Sequence, residues 1–164
     1  MKPMWQTLWR ATDLVVERDG REVDRVAAAD IERVIIVYAD RGATPGDLAF
    51  AVLRTASHDL LFPPASGFAG RVHFERQSFW RQRGCVYWTP LAQSQLPRRL
   101  CQGLWILRQY QPAFRRLPRS ELDPIIERWP LQGPQTWDER KWERIAQMSP
   151  FAALRAVPTP STPR

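Results

Sequence analysis

Three residues near the middle of the sequence have the residue types needed for nucleophilic catalysis. Cys85, His73 and Glu75 have the chemistry of a nucleophile, a base and an orienting carboxylate. A catalytic triad is defined by its geometry, and composition alone brings such sets together by coincidence. Cys85 lies between Gly84 and Val86, where a small apolar strand residue is expected. The sequence therefore favours a structural role for Cys85, and we expect no catalytic residue.

Metal and cofactor motifs are not evident either. The two cysteines, Cys85 and Cys101, are sixteen positions apart, and the two histidines, His58 and His73, are fifteen apart. Zinc sites require much tighter ligand pairs. The glycines of "GFAG" and "RGATPGD" have neither the spacing nor the lysine of a phosphate-binding loop. We expect no metal and no cofactor, and two ordinary thiols whose reactivity the sequence leaves open.

The charge of the chain is divided unevenly. The net charge is +7. Residues 1–70 carry 8 Lys/Arg and 10 Asp/Glu, whereas residues 71–164 carry 16 and 7. Between Arg76 and Ser120 there are nine arginines and no acid. Such asymmetry indicates a surface for an anionic partner. The opposing interpretation is a merely solvated face, since arginine outnumbers lysine 22 to 2.

Arginines and aromatic rings alternate within this acid-free stretch. Nucleic-acid grooves combine both types, but most of these rings are expected in the core. In a strand, Tyr87 and Trp88 must point to opposite faces. The best candidates for an exposed basic face with an aromatic edge lie elsewhere in the stretch. They are Arg81, Arg83, Arg98, Arg99, Trp105 and Arg108.

These residues predict a non-enzymatic binding or adaptor module that docks an acidic protein partner or an oligomer mate on the basic face. A nucleic-acid-binding accessory protein using the same face is the alternative, although no recognised nucleic-acid motif is present. A small enzyme of unknown type is the third hypothesis. The longest strongly apolar runs cover six residues, so no membrane span is expected. The N-terminus lacks the apolar stretch of a signal peptide, and we expect a cytoplasmic protein.

The elements that position these residues begin with strands. Trp5, Thr7 and Trp9 alternate with other residues as in a half-buried strand. Asp19-Gly20 in "DLVVERDGREVDRV" is a two-residue hairpin signature, which pairs Val16 with Val23, Glu17 with Glu22 and Arg18 with Arg21. "RVIIVYA" reads as a central strand. "DLAFAVLRT" and "HDLLF" predict a second hairpin about Ala56-Ser57, and "CVYWTP" a further short strand.

Helical patterns predominate after Pro63-Pro64. A helix is expected from Ser66 to a glycine stop at Gly84, with a strand over 71–75 as the open alternative. Leu96, Leu100, Leu104 and Leu107 form a helical stripe that begins near Pro97. Ser120-x-x-Asp123 and Thr136-x-x-Glu139 resemble capping boxes of two further helices.

The fold class expected from this order is α+β. An N-terminal antiparallel sheet of five to six strands should pack against three to four helices from the C-terminal half. We expect one globular domain over 1–156, mainly β in 1–64 and mainly α with one short strand in 65–156. The Pro/Ser/Thr-rich residues 157–164 should form a disordered tail. The strand meander opened by a tight hairpin is broadly similar to bacterial pleckstrin-homology-like modules or small barrels. The multi-helix second half departs from that pattern.

Overall fold

The computed structural model describes residues 4–38, 48–63, 83–90, 96–102, 111–112, 114–136, 139, 142–143 and 145–146. Eleven strands have bounds within these residues: β1 (Trp5–Arg10), β2 (Asp13–Arg18), β3 (Arg21–Ala27), β4 (Arg33–Tyr38), β5 (Leu48–Arg54), β6 (His58–Phe62), β7 (Val86–Pro90), β8 (Cys101–Gln102), β9 (Gln111–Pro112), β10 (Arg115–Pro118) and β11 (Gln132–Gln135). They are accompanied by helix α1 (Arg119–Ile126) and by short 3-10 turns at Ala28–Asp30 and Arg98–Leu100.

The predicted hairpin at Asp19-Gly20 joins β2 to β3 in a three-stranded antiparallel sheet, β1-β2-β3. Asp19 and Gly20 have φ of 52° and 77°, as the turn requires. The predicted pairs Glu17–Glu22 and Arg18–Arg21 are confirmed. The pairing of Val16 with Val23 is wrong, because a register shift places Val16 opposite Asp24 and leaves Val23 exposed.

The like-charged pairs of this hairpin are compensated by neighbours. Arg10 lies 2.6 Å from Glu17 and 3.5 Å from Glu22, and Arg25 lies 2.8 Å from Glu22. Arg10 therefore bridges the two carboxylates of the Glu17–Glu22 pair, and Arg25 adds a second positive charge at Glu22.

The second sheet has six strands in the order β10-β6-β5-β4-β7-β11. β4 lies between β5, which is antiparallel, and β7, which is parallel, so the prediction of a central strand is confirmed. The second hairpin is also confirmed, because β5 pairs with β6 around Ala56-Ser57. The short strand predicted from "CVYWTP" is β7.

Both faces of the six-stranded sheet are covered by apolar residues. One face packs against the three-stranded sheet and includes Val34, Ile36, Leu53 and Leu60 together with Leu14 and Val16. The other face packs against α1 and the segment 96–100. It includes Ile35, Val37, Val52 and Leu61 together with Leu122 and Ile126. The continuous apolar run of β4 thus serves two cores at once.

Each edge strand of this sheet contains a proline. Pro118 ends β10 at one edge, and Pro134 lies within β11 at the other. Proline has no N–H to offer to an incoming strand, so each edge provides fewer pairing groups.

The expected α+β architecture with three to four C-terminal helices is wrong. The second half of the chain contributes five strands to the described residues, and α1 is the one α-helix whose bounds they give. The helix predicted from the leucine stripe fails where it can be checked. After the 3-10 turn at Arg98–Leu100, Cys101 and Gln102 pair with Pro112 and Gln111. The sheet is mixed and covered on both faces, unlike the barrel-type pattern considered above.

The predicted helix signals have different outcomes. Ser120 is not a cap, because α1 begins at Arg119 and has no capping side chain. The second capping box is confirmed. The Thr136 N–H donates to Glu139 at 2.8 Å, and the Glu139 N–H donates to Thr136 Oγ1 at 3.2 Å. Gly84 does not have the left-handed conformation predicted for a helix stop.

Some predictions concern residues outside those described. They include the helix from Ser66 onward, its strand alternative over 71–75, Leu104 and Leu107, and the tail 157–164. Among the described residues, no helix is long and apolar enough to cross a membrane.

Candidate binding surface

Three of the six predicted face residues lie in the described ranges, namely Arg83, Arg98 and Arg99. Arg81, Trp105 and Arg108 lie outside them. Arg83 is half-buried and its Nη1 donates to the Ala28 carbonyl oxygen at 3.4 Å. Ala28 belongs to the core under the three-stranded sheet, whereas Arg98 and Arg99 lie in the turn that packs on the α1 side. Arg83 and Arg99 therefore lie beside different cores, one on each face of the six-stranded sheet.

Arg99 is held in place by two buried leucines. Leu96 and Leu100 are 6% and 3% exposed and pack into the α1-side core, while the Leu100 N–H donates to the Pro97 carbonyl oxygen at 2.9 Å. This anchoring turns Arg99 outward, and 68% of its side chain is exposed. Its Nη2 lies 3.1 Å from Glu121 Oε2 on α1. The turn is thus fixed by apolar packing and not by the arginine itself.

Arg115 lies on the same side of the six-stranded sheet. It is paired with Leu61, whose side chain is in the α1-side core, and directly paired residues point to the same face. Arg115 is exposed, and no described residue forms an ion pair with it. Arg99, Arg115 and the Glu121 that pairs with Arg99 are called the helix-side surface below, and Arg98 precedes Arg99 in the same turn. Sequence analysis missed Arg115 because its exposure depends on the pairing of β10 with β6.

Two arginines of the acid-free stretch form ion pairs with acids from the first half of the chain. Arg116 forms two hydrogen bonds with Asp24, at 2.8 and 2.9 Å, and Arg119 donates to Glu32 at 2.7 Å. These acids lie 92 and 87 positions away in sequence. The hydrogen bonds to Asp24 raise the pKa of Arg116. The charge asymmetry of the sequence is therefore weaker on the folded surface than along the chain.

The aromatic residues of β7 divide as predicted. Tyr87 packs against the α1-side core, and Trp88 packs against the core under the three-stranded sheet. The Arg33 guanidinium lies 5.2 Å from the centre of the Tyr87 ring, within cation–π range. Neither ring lies free beside the predicted basic residues, because both are partly buried.

A buried charge cluster joins β5, β6 and α1. Arg54 is 4% exposed and Asp59 fully buried, and two hydrogen bonds of 2.8 and 3.1 Å join them. Arg54 also donates to Asp123 of α1. Burial raises the pKa of Asp59 while Arg54 opposes it, and the hydrogen bond from Arg54 lowers the pKa of Asp123. The buried pair carries its own counter-charges, which is the arrangement of a structural cluster.

The candidate nucleophile is buried. Cys85 is 4% exposed, and burial raises the pKa of its thiol, although Arg83 acts in the opposite direction. A raised pKa keeps the thiol protonated and weakens it as a nucleophile. The suggested partners His73 and Glu75 lie outside the described residues. His58 is half-buried at the β5–β6 turn, where its Nδ1 is 2.8 Å from Ser57 Oγ.

The described ranges contain no group of three or more His, Cys, Asp or Glu side chains that could hold a metal ion. Comparison of the chain with family models, with curated proteins and with solved structures gave no match. The surface must therefore be interpreted from its own geometry.

Proposed function

We propose that this protein is a non-enzymatic binding module that docks an acidic segment of a partner protein on the helix-side surface. The proposal rests on the exposure of Arg99 and on its ion pair with Glu121. The Arg99 side chain is 68% exposed on a turn anchored by buried leucines, and Glu121, its acidic partner among the described residues, keeps 33% of its own side chain exposed. An exposed ion pair contributes only about 0–1 kcal/mol, so a partner's carboxylate can replace Glu121 at little cost.

Arg115 extends the same surface. Arg115 is exposed without an ion pair in the described structure, and Arg98 belongs to the same anchored turn as Arg99. An acidic peptide gains charge-assisted hydrogen bonds from such groups without a large rearrangement of the protein. A second copy of the chain is a partner of the same class if it presents an acidic segment. The two cysteines suit a reducing compartment, so a cytoplasmic location is part of the proposal.

The experiment is a fluorescence anisotropy titration of labelled poly-glutamate with the full chain. We expect Arg98→Glu with Arg99→Glu to weaken binding about tenfold or more, since two charges are reversed at the contact. The matched control is Arg18→Glu with Arg21→Glu on the β2–β3 hairpin, which makes the same change in net charge. The control should lose only the part of the affinity that depends on net charge.

Equal losses in the two double variants would overturn the proposal, because they would show attraction to net charge without a defined surface. A parallel titration with labelled oligothymidylate tests the nucleic-acid alternative. Binding through phosphates falls log-linearly with salt, at a slope of about −0.7 per phosphate for a single strand. Preferential, strongly salt-dependent binding of the oligonucleotide would favour that alternative instead.

A further inference from the structure

A polar cleft is lined by residues that do not belong to the helix-side surface. Its volume is about 460 Å³. It lies between the end of β3 with its following turn, the β5–β6 turn and β10. The charged residues of the lining are Arg25 and Arg116, which are neighbours, and Asp30 and Glu32. Small residues, Ala27, Ala29 and Ala56, leave the space between them open.

Both arginines of the cleft are held in place by acidic residues. Arg25 is held by Glu22 at 2.8 Å and by Asp13 at 3.1 Å. Arg116 binds Asp24 through Nε and Nη2 and also donates to the Arg25 carbonyl oxygen at 3.1 Å. In the described structure, Nη1 of Arg116 makes no hydrogen bond. This guanidinium is thus oriented and still has two N–H groups to donate.

The two acids of the cleft differ in their partners. Glu32 is held by Arg119, whose Nη1 lies 2.7 Å away. Asp30 is exposed and forms no ion pair with any described residue. Within the described residues, no ion pair joins Arg25 or Arg116 to Asp30 or Glu32. Opposite charges therefore line one open space without neutralising each other.

We infer that this cleft binds a small zwitterion of the amino-acid or dipeptide type. The ligand's carboxylate is received by Arg116 and Arg25, and its ammonium group by Asp30 and Glu32. A charge-assisted hydrogen bond forms at each end of such a ligand. The cleft volume lies within the range of about 300–1,000 Å³ typical of small-molecule sites. The inference is independent of the proposed function, because none of these residues belongs to the helix-side surface.

The test is a titration of the labelled full chain with glycylglycine, followed by NMR of the backbone amides of Ala29, Ala56 and Ser57. N-acetylglycylglycine and glycylglycinamide are the matched probes, since each lacks one of the two charges. We expect glycylglycine to shift these amides and each blocked peptide to bind at least about fivefold more weakly, as for loss of one partly exposed ion pair.

Two variants localise the effect. Asp30→Asn should weaken glycylglycine binding about fivefold without altering stability, since no described residue forms an ion pair with Asp30. Glu127→Gln, an equal change at the exposed acid that directly follows α1, should leave binding unchanged. Ala29→Leu should fill the cleft and abolish the shifts. Equal binding of the three peptides, or no amide shifts up to about 10 mM, which is well above a millimolar dissociation constant, would overturn the inference.

Discussion

The buried pair between Arg54 and Asp59 makes a sharp stability prediction. Arg54→Met removes a guanidinium that is 4% exposed and leaves Asp59, which is fully buried, without its counter-charge. Removing one partner of a buried ion pair costs about 3–5 kcal/mol, because the remaining charge stays desolvated. The loss of Arg54 costs less at Asp123, since 41% of the Asp123 side chain is exposed to solvent and Arg119 lies 3.6 Å away as a second counter-charge.

The double variant Arg54→Met with Asp59→Leu should be more stable than the single variant. Replacing both members of a buried pair by apolar residues of similar volume is often neutral or stabilising. We expect it to recover at least about half of the loss. The exposed pair supplies the control, because Arg99→Met should change the free energy of unfolding by less than about 1 kcal/mol.

Urea denaturation at neutral pH measures these free energies, with the slope of each transition checked for two-state behaviour. The reasoning is refuted if Arg54→Met costs no more than Arg99→Met. The single variant Asp59→Leu completes the comparison. The reasoning is also refuted if the losses of stability in Arg54→Met and in Asp59→Leu simply add in the double variant, because independent losses would mean that the two groups do not neutralise each other.

Two further predictions concern single side chains. Gly133→Ala should cost about 3 kcal/mol, because Gly133 has φ of 111° and an added Cβ would lie 2.7 Å from the Val86 carbonyl oxygen. Gly84→Ala, where nothing lies within 4 Å, should be close to neutral in the same urea assay, and equal effects would contradict the steric argument. The pKa of Asp123 is lowered in the folded state by Arg54, so its stabilising contribution is complete above its ordinary value of 3.8 and is lost as the pH falls through the lower folded value. Asp123→Asn should therefore destabilise by about 1 kcal/mol at pH 7 and by less near pH 3, and a penalty independent of pH would show that the carboxylate charge is not involved.

The strands of the first 62 residues could be predicted because each is determined locally. The turn at Asp19-Gly20 requires positive φ, which this pair of residues adopts readily, and the apolar run of β4 requires burial on both faces. The register of the first hairpin could be predicted only near the turn. The shift beyond Glu17 lets Arg116 reach Asp24 from β10, a contact 92 positions away that local pairing rules do not contain.

The second half was predicted wrongly because residues with helical spacing can also be placed by contacts with the sheet. Leu96 and Leu100 have helical spacing, yet both are buried at the ends of a short segment that includes a single 3-10 turn. Ser120 and Asp123 have the spacing of a capping box, but Asp123 instead bonds Arg54 of the sheet. Tertiary contacts override local preference in both cases.

The candidate surface could be located from sequence only in part. An excess of arginine marks a region, but exposure and pairing decide which arginines are available to a partner. Arg99 has 68% of its side chain exposed, whereas Arg116 and Arg119 form ion pairs with acids from the first half of the chain. Neither partner could be inferred from spacing, since both contacts depend on how the sheets pack.

The most direct test of the helix-side surface is the effect of Glu121→Gln on affinity for poly-glutamate. If Glu121 competes with the ligand for Arg99, removing its charge should tighten binding about two- to fivefold, in line with the free energy of an exposed ion pair. Glu127→Gln makes the same change in net charge just after the same helix and measures the non-specific gain. A gain confined to Glu121→Gln is the predicted result. Equal gains from both variants, or no gain from Glu121→Gln, would contradict docking at Arg99.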